Sequence, residues 1–172
     1  MILNTDQNTE IRLRPATIAD QPVIAAIIHE ADINPMGLQW ERFLLAEENG
    51  QVIGTGQLKP HSDGSIELAS IAVVPTRQGQ GIGSQIVRAL IVQHFQNTDT
   101  LLYLTCLGTN ESYYVRFGFR RIGRAEMPPY FRRITRIARV LFGIGRVIRP
   151  KSNNTLAVMR YDPKTALNTD AL

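Results

Sequence analysis

The sequence predicts one α/β domain with a central mixed, mostly antiparallel twisted sheet and flanking helices. Its 172 residues, of which 44% are apolar, can fill a single sizeable core. Predicted strands that follow one another with short turns favour antiparallel pairing. A later strand, helix and strand in succession imply a right-handed crossover that makes two strands parallel. We therefore expect a single domain at residues 10–162, between polar tails at residues 1–9 and 163–172.

Strands are predicted where short apolar or alternating runs lie between turn signals. The pairs Asn49-Gly50 and Asp63-Gly64 are such signals, and the first joins two strands as a hairpin. The predicted strands cover residues 11–14, 43–47, 51–59, 66–74, 101–106 and 155–161. The three that precede the glycine-rich region run as a meander.

Helices are predicted where apolar residues recur at helical spacing. Asp20 is placed to cap a helix that reaches about residue 30, with Pro22 in its first turn. Residues 38–43 are interpreted as a second, short helix. A longer helix starts near Ser84, and its apolar stripe must cover the sheet.

The most informative segment is the glycine-rich loop between the strand at 66–74 and the helix near Ser84. Gly79, Gly81 and Gly83 lack Cβ atoms, so the loop can adopt unusual dihedral angles and approach a ligand at backbone distance. The N–H groups at the start of the helix, together with the helix dipole, favour an anion. We therefore expect the loop to bind a pyrophosphate.

Two common phosphate loops do not fit this segment. The P-loop requires a lysine after its last glycine, whereas Ser84 follows Gly83. The dinucleotide fingerprint requires glycine at the position of Ser84, and its acidic residue should end the next strand, which Asp99 instead precedes. The remaining pattern, Gln78-x-x-Gly81-x-Gly83 after an apolar strand, resembles the coenzyme A loop of the GNAT superfamily of N-acetyltransferases.

A second segment, about thirty residues downstream, strengthens this resemblance. Residues 112–119, SYYVRFGF, resemble the family's helix-plus-strand signature, in which a tyrosine lies five residues before the phenylalanine of a Gly-Phe pair. Tyr114, Gly118 and Phe119 match that signature. The resemblance extends more weakly from residue 11 to about residue 161. It implies acetyl-CoA as cofactor and a parallel strand pair that splays apart around the pantetheine arm.

The resemblance also implies roles for two side chains. Glu67 matches a position at which the family often has a glutamate that takes the proton of the amine, directly or through water. Such a base is needed because an alkyl ammonium, with a pKa of about 10.4, is not a nucleophile. Tyr114 is placed to donate a hydrogen bond or a proton to the leaving thiolate. For Glu67, the alternative is a charge on the solvent face of a strand. For Tyr114, the alternative is an aromatic residue that packs under the cofactor.

Main-chain groups are implied to make most of the cofactor contacts. A bulge, typical of the family in this strand, would free a backbone N–H near residues 72–74 for the thioester carbonyl. The residues implied as cofactor-binding are Ala72, Val73, Val74, Gln78, Gly79, Gln80, Gly81, Ile82, Gly83 and Ser84.

The expected function is therefore transfer of an acetyl group from acetyl-CoA to a primary amine, by direct attack in a ternary complex. The alternative on the same fold is a non-catalytic acyl-CoA-binding sensor or regulatory module, and a third class is a basic protein that binds a membrane or a partner. No motif identifies the acceptor, which is a small molecule or a protein. An acidic or neutral amine is expected, because a positive surface repels polyamines.

The basic charge is local. Residues 111–151 hold eleven Arg or Lys and two Glu, although the net charge of the whole chain is only +4. Within an insertion at 125–152, residues 127–142 predict an amphipathic basic helix that Gly143 and Gly145 end. Such a helix covers the core or the acceptor cleft with its arginines in water, or it contacts an acidic partner, an anionic membrane surface, the cofactor or the acceptor. Nucleic acid is not expected as a partner, because stacking aromatics and a base-reading module are missing from the sequence.

Several other classes are disfavoured. The single cysteine, Cys106, cannot form an internal disulfide and is expected to pack in a strand, so no structural metal and a cytoplasmic location are expected. His29, His61 and His94 have no partners at metal-ligand or triad spacing and are assigned no chemistry. No secretion signal and no run of about 18 apolar residues is seen. The oligomeric state stays open, a homodimer included.

Overall fold

The computed structural model describes residues 10–148 and 155–163, and for residues 139–148 it describes the backbone alone. The strands of this part are β1 (Arg12–Pro15), β2 (Phe43–Glu48), β3 (Gln51–Pro60), β4 (Ile66–Val73), β5 (Leu102–Leu107), β6 (Phe119–Arg121) and β7 (Leu156–Tyr161). The α-helices are α1 (Gln21–Glu30), α2 (Ile82–Asn97), α3 (Glu111–Val115) and α4 (Pro129–Ile148). The strands form one sheet in the order β1-β2-β3-β4-β5-β7-β6. The predicted fold class is confirmed.

The parallel pair of the sheet consists of β4 and β5. Ile66 pairs with Leu102 and Glu67 with Tyr103, and the register is confined to these first positions although both strands continue. This is the arrangement of a splayed pair. The pairings of β1 with β2, β2 with β3, and β7 with both β5 and β6 are antiparallel.

Contacts divide the chain into two units, of which the first has its described residues at 10–57 and 70–90. Its core lies where α1 packs on strand residues. Ile24 and Ile28, four residues apart on one face of α1, are both fully buried, and they belong to a cluster with Phe43, Leu45 and Ala72. Trp40 packs against this cluster while remaining partly exposed.

The second unit has its described residues at 58–69, 91–148 and 155–163. Tyr103 of β5 and Val158 of β7 are buried together with Phe131 at the start of α4. Phe131 is 0% exposed, so the first turns of α4 form part of the hydrophobic core. The basic helix therefore covers the core of the second unit.

Most predicted elements are found with small shifts of their ends. Asn49 and Gly50 both have positive φ, 51° and 76°, as a two-residue hairpin turn between β2 and β3 requires. The short helix predicted at 38–43 is only a 3-10 turn at Trp40–Arg42, because β2 already begins at Phe43. Helix α2 begins at Ile82, two residues before the predicted start.

The predicted end of the basic helix is wrong. Gly143 and Gly145 were expected to end it, but α4 continues through both to Ile148. Glycine in a helix interior costs about 1 kcal/mol relative to alanine, yet it keeps its N–H donor, so the hydrogen-bond ladder continues. Residues 149–152 of the predicted insertion lie outside the described part of the chain, as do the tail residues 1–9 and 164–172.

Candidate functional site

The glycine-rich loop joins β4 to α2 in the first unit. Gly79 and Gly81 have φ of 75° and 80°, in the left-handed region that favours glycine. A Cβ atom at either position would meet no other atom within 4 Å, so the backbone conformation, not crowding, requires glycine there. Gly83 differs from the expectation, because it lies in the first turn of α2 and has helical backbone.

The start of α2 leaves backbone donors next to this loop. The N–H of Gln85 donates to the carbonyl of Gly81 at 3.1 Å, which closes the first turn. The N–H groups of Ile82 and Gly83 precede that bond and have no carbonyl within the helix to bind. The Ile82 side chain is buried, which anchors the helix start, whereas residues 78–81 are exposed. An exposed loop that leads to the first N–H groups of a helix and the positive end of its dipole suits an anion.

Two side chains beside the loop bind protein atoms rather than solvent. The amide Nε2 of Gln78 donates to the carbonyl of Val73 at 3.0 Å, and the guanidinium of Arg77 forms an ion pair with Glu48. Both interactions fasten the loop to the neighbouring strands. Gln78, predicted to bind the cofactor, therefore uses its side chain to hold the loop.

Backbone donors among the predicted cofactor residues are also partly occupied. The N–H of Val74 donates to the carbonyl of Ile53 at 2.9 Å, and the N–H of Gln78 donates to the carbonyl of Pro75 at 3.4 Å. Both residues were predicted to bind the cofactor. The structure provides protein partners for these two N–H groups, so any cofactor contact by them competes with an existing hydrogen bond.

The strand that enters the loop has one irregular backbone position, at Ser70. Ser70 has φ of 55°, which is uncommon for a residue other than glycine and interrupts the strand alternation. Its carbonyl accepts from the Thr55 hydroxyl at 3.1 Å, and its own hydroxyl accepts from Nε2 of Gln57 at 2.8 Å. Gln57 is fully buried, and its Oε1 has no hydrogen-bond partner among the described residues. A tightly held kink thus separates Glu67 from Ala72.

Glu67 lies in the second unit and is only 6% exposed. Its Oε1 accepts from the Thr105 hydroxyl at 2.6 Å, and its Oε2 lies 2.9 Å from Nε2 of His61. Interpreting Glu67 as a charge on a solvent face is therefore wrong. Its partner His61, assigned no chemistry from the sequence, lies six residues upstream across the turn at Asp63 and Gly64. That turn signal, halfway between the two residues, could have indicated their proximity.

The ring of His61 is held by aromatic contacts from α4. It stacks on Tyr130 with ring centroids 3.5 Å apart and meets Phe131 edge to face at 5.6 Å. The side chain of His61 is 4% exposed. Tyr130 is itself fixed, because its N–H donates to Oδ2 of Asp63 at 2.7 Å. Burial alone would raise the pKa of Asp63, but hydrogen bonds from Ser65 and from the Tyr130 N–H outweigh it and lower that pKa. The resulting carboxylate caps the start of α4.

Tyr114 lies on α3, also in the second unit. Burial raises the pKa of Tyr114, and Tyr113 and Cys106 act in the same direction. The ring of Tyr114 meets Phe119 edge to face at 6.3 Å, whereas Tyr113 lies under the Arg116 guanidinium at 4.1 Å. The two adjacent tyrosines are therefore in different environments.

The predicted site residues are divided between the two units. The predicted main-chain contacts at residues 72–74 and 78–84 lie in the first unit, whereas Glu67 and Tyr114 lie in the second. The carboxylate of Glu67 accepts a hydrogen bond from Thr105 of β5. Cys106, the next residue of β5, contributes to the raised pKa of Tyr114.

The remaining predicted features concern cysteine and metal. Cys106 is buried, as expected, and burial raises the pKa of its thiol to about 11. Within residues 10–148 and 155–163, no three His, Cys, Asp or Glu side chains are grouped as a metal ion would need. In the same part of the chain, every helix is too short or too polar to cross a bilayer.

Comparison with protein families gives one domain match. Residues 39–121 match the family model described as an acetyltransferase (GNAT) domain. This range includes the glycine-rich loop, Glu67 and Tyr114. The comparison with curated proteins found no match.

Solved structures share the fold at low sequence identity. N-acetylglutamate synthase from Neisseria gonorrhoeae, complexed with coenzyme A and N-acetyl-glutamate, is 21% identical, with a TM-score of 0.68 over 90% of this chain and 35% of that chain. The ribosomal-protein-S18-alanine N-acetyltransferase from Escherichia coli is 18% identical, with a TM-score of 0.62 over 88% of this chain and 93% of that one. A GNAT family acetyltransferase from Brucella melitensis, in complex with acetyl-CoA, is 27% identical, with a TM-score of 0.53 over 65% and 84%. The chain thus spans about a third of the length of the synthase.

Proposed function

From the GNAT acetyltransferase domain that this chain carries at residues 39–121, we propose that the protein is an N-acetyltransferase that moves an acetyl group from acetyl-CoA to a primary amine. The observation that carries the proposal is the exposed loop in which Gly79 and Gly81 have left-handed backbone and lead into the first turn of α2. Bound coenzyme A or acetyl-CoA in structures that share the fold supports the choice of cofactor.

The diphosphate of acetyl-CoA is proposed to bind the main chain of the loop and helix start. The N–H groups of Ile82 and Gly83 supply donors at the positive end of α2, and the open space around Gly79 and Gly81 admits a phosphate at backbone distance. Gln80 and Ser84 are also proposed to contact the diphosphate. Gln78 has a supporting role, because its side chain holds the loop to Val73.

The transfer is proposed as direct attack by the neutral amine on the thioester carbon. The carbonyl oxygen becomes negative and binds backbone N–H groups at Ala72 and Val73, beyond the Ser70 kink. The C–S bond then breaks, and the leaving thiolate accepts a hydrogen bond from Tyr114. Because burial raises the pKa of Tyr114, its phenol is a weaker acid than usual, so hydrogen bonding is favoured over complete proton transfer.

The proton that the amine loses is proposed to leave through Glu67 and the groups bonded to it. A carboxylate buried against His61 and Thr105 is costly unless it is hydrogen-bonded, and both of its oxygens are. These two contacts hold the carboxylate in one orientation.

The acceptor is proposed to be an acidic or neutral primary amine, including one on a protein segment. Support comes from the exposed arginines of α4, Arg132, Arg133 and Arg136, which lie on the helix that packs on His61. Spermidine as the best acceptor would contradict this substrate class.

Turnover over a panel of amines tests the proposal. Release of coenzyme A is measured with subtraction of the hydrolysis rate, and products are identified by mass spectrometry. Tyr114→Phe is expected to lower kcat by roughly 100-fold with unchanged affinity for coenzyme A. Tyr113→Phe, which keeps the ring under Arg116, is the matched control and should retain the wild-type rate. Binding of acetyl-CoA without consumption of any amine would reject the enzyme and leave an acyl-CoA sensor.

Binding at the loop is tested separately by calorimetry with coenzyme A. Gly81→Ala is expected to weaken binding by about 10-fold or more, because alanine disfavours φ of 80° at the proposed phosphate contact. Gly50→Ala is a matched control, since Gly50 has φ of 76° and equally open surroundings in the turn after β2. Equal affinities of the two variants would contradict the placement of the diphosphate.

A further inference from the structure

We propose that His61 accepts the proton of the acceptor amine at its Nδ1 atom, and that Glu67 is the residue that orients it. This inference rests on the proposed function and deepens it, because it names the atom that acts as base. The sequence assigned no chemistry to His61, and the pair is formed only by the fold.

The contact with Glu67 fixes the tautomer of His61. Its Nε2 lies 2.9 Å from Oε2 of Glu67, and an ionised carboxylate can only accept a hydrogen bond. The neutral imidazole must therefore carry its proton on Nε2. Its lone pair is then on Nδ1, which becomes the atom able to take a proton.

Neighbouring side chains hold both Glu67 and His61 in position. Thr105 donates to the other oxygen of Glu67 at 2.6 Å, so the carboxylate is held from two sides. The imidazole ring is stacked on Tyr130 and bounded by Phe131. A ring held by a carboxylate on one nitrogen and by aromatic faces has one orientation for the other nitrogen. This is the arrangement by which a carboxylate positions a histidine base.

Histidine and glutamate differ in strength as bases. Glutamate has an ordinary pKa of about 4.3 and histidine one of about 6.5, whereas an alkyl ammonium has one of about 10.4. The imidazole is thus the better match for removing a proton from the amine. Because Glu67 already accepts hydrogen bonds at both oxygens, imidazolium formation next to it adds a favourable charge pair in a buried site.

The proton balance is complete without any further reagent. As the amine nitrogen bonds to the acyl carbon, its N–H proton passes to Nδ1 of His61, directly or through one water. The imidazolium forms beside the Glu67 carboxylate, which stays ionised. After the C–S bond breaks and the products leave, the imidazolium returns its proton to solvent.

Other charged and titratable groups surround the pair and enter any pH dependence. They are Asp63 in the turn after β3, Tyr103 on β5 and Tyr130 and Arg133 on α4. Burial raises the pKa of both Tyr103 and Tyr130, so these phenols stay neutral near physiological pH.

Kinetics of three variants test the proposal. His61→Gln is expected to lower kcat by about 100-fold or more, with KM for acetyl-CoA unchanged, and to remove the rise of kcat/KM with pH. Glu67→Gln should lower kcat less and keep a pH-dependent rise. His94→Gln is the control, because His94 is equally buried in the same unit and its Nε2 bonds the carbonyl of Thr100. A large loss in Glu67→Gln with a nearly normal rate and pH profile in His61→Gln would overturn the proposal.

A measurement that needs no activity separates this inference from the proposed function. Nitrogen-15 NMR of the histidine rings at alkaline pH is expected to show His61 protonated on Nε2 and bare on Nδ1. A ring protonated on Nδ1 would overturn the proposal even in an active enzyme. If no amine is acetylated while the Nε2 tautomer is found, the proposed function fails and with it the base role, whereas the geometry of the pair stands.

Discussion

The carboxylate of Asp20 binds the guanidinium of Arg14 through both oxygens, at 2.9 Å each, and makes no side-chain cap to α1. Oδ2 also accepts from the N–H of Thr17 at 2.7 Å, before the 3-10 turn at Ile18–Asp20. Arg14 in turn donates to Glu47 at 2.6 Å. The residue predicted as a helix cap therefore links β1, β2 and the start of α1. Sequence position located this residue, but only the fold supplied its partners.

At the residue scale we predict that Asp20→Asn destabilises the protein by about 2 kcal/mol at neutral pH, since it removes a charged partner of Arg14. Hydrogen bonds from Arg14 lower the pKa of Asp20. Its contribution to stability is therefore present above the ordinary pKa of about 3.9 and is lost as the pH falls through the folded value. Urea unfolding at neutral pH and near pH 3 should show a smaller difference from wild type in acid.

The control for this prediction is Asp99→Asn. Asp99 is exposed before β5, so its replacement should change stability by less than about 0.5 kcal/mol. If the difference in unfolding free energy between Asp20→Asn and wild type does not shrink in acid, the Asp20 carboxylate is not the group that stabilises the protein.

At the scale of elements, two glycines of β3 set the distance between this strand and α2. A Cβ atom at Gly56 would lie 2.6 Å from both Ile71 Cδ1 and Ile86 Cγ2, and one at Gly54 would lie 3.0 Å from Ile86 Cδ1. Neither glycine has positive φ, so crowding rather than backbone conformation requires them. This pair was not predicted from the sequence, although glycine in a strand interior signals close packing.

We predict that Gly56→Ala destabilises the protein by about 1 to 3 kcal/mol, because its methyl group overlaps side chains of β4 and α2 that are already packed. Gly123→Ala is the control, since a Cβ atom there would meet nothing within 4 Å and the residue lacks positive φ. Thermal unfolding of both variants checks the prediction. A Gly56→Ala protein as stable as Gly123→Ala would mean that α2 moves away from β3 at little cost.

Elements also explain how the His61 and Glu67 pair forms. The turn at Asp63 and Gly64 folds the end of β3 back on the start of β4, with the N–H of His61 bonded to the carbonyl of Ser65 at 2.9 Å. The turn was predicted from its two residues. The third partner, Thr105, comes from β5, which reaches Glu67 only through the parallel crossover.

At the scale of the whole molecule, the single cysteine reports on unfolding. Cys106 is 8% exposed on β5, and its Sγ lies 3.8 Å from Sδ of Met159 on β7. Burial raises the pKa of its thiol to about 11, so the reactive thiolate is scarce in the folded protein.

We predict that a thiol reagent modifies Cys106 slowly in the native protein and rapidly in urea, with a rate that follows the unfolded fraction. The comparison of labelling with loss of tertiary signal over a urea series provides the measurement. Fast labelling in the absence of urea would contradict the buried placement of the thiol.

Stability should also fall above about pH 8.5, because the folded state disfavours the thiolate that the unfolded state forms.

Short sequence patterns determined most of the secondary structure of this protein. Turn pairs, apolar spacing and the glycine motif predicted the strands, the helices and the loop, because each depends on neighbours a few residues away. The same motifs carried the resemblance to the GNAT superfamily, which the domain match confirms. Glycines did not end α4, since the pattern specifies where a helix is favourable but not what packing sustains it.

Tertiary structure alone decided which side chains became partners. His61, Glu67 and Thr105 come from three segments, and Arg14 pairs with Asp20 rather than leaving it to cap a helix. The physical reason is that a buried charge must find hydrogen bonds wherever the fold brings donors near, and sequence distance does not specify those donors. The sequence thus determined the elements and the loop, and the packing of the sheet decided which side chains became hydrogen-bond partners.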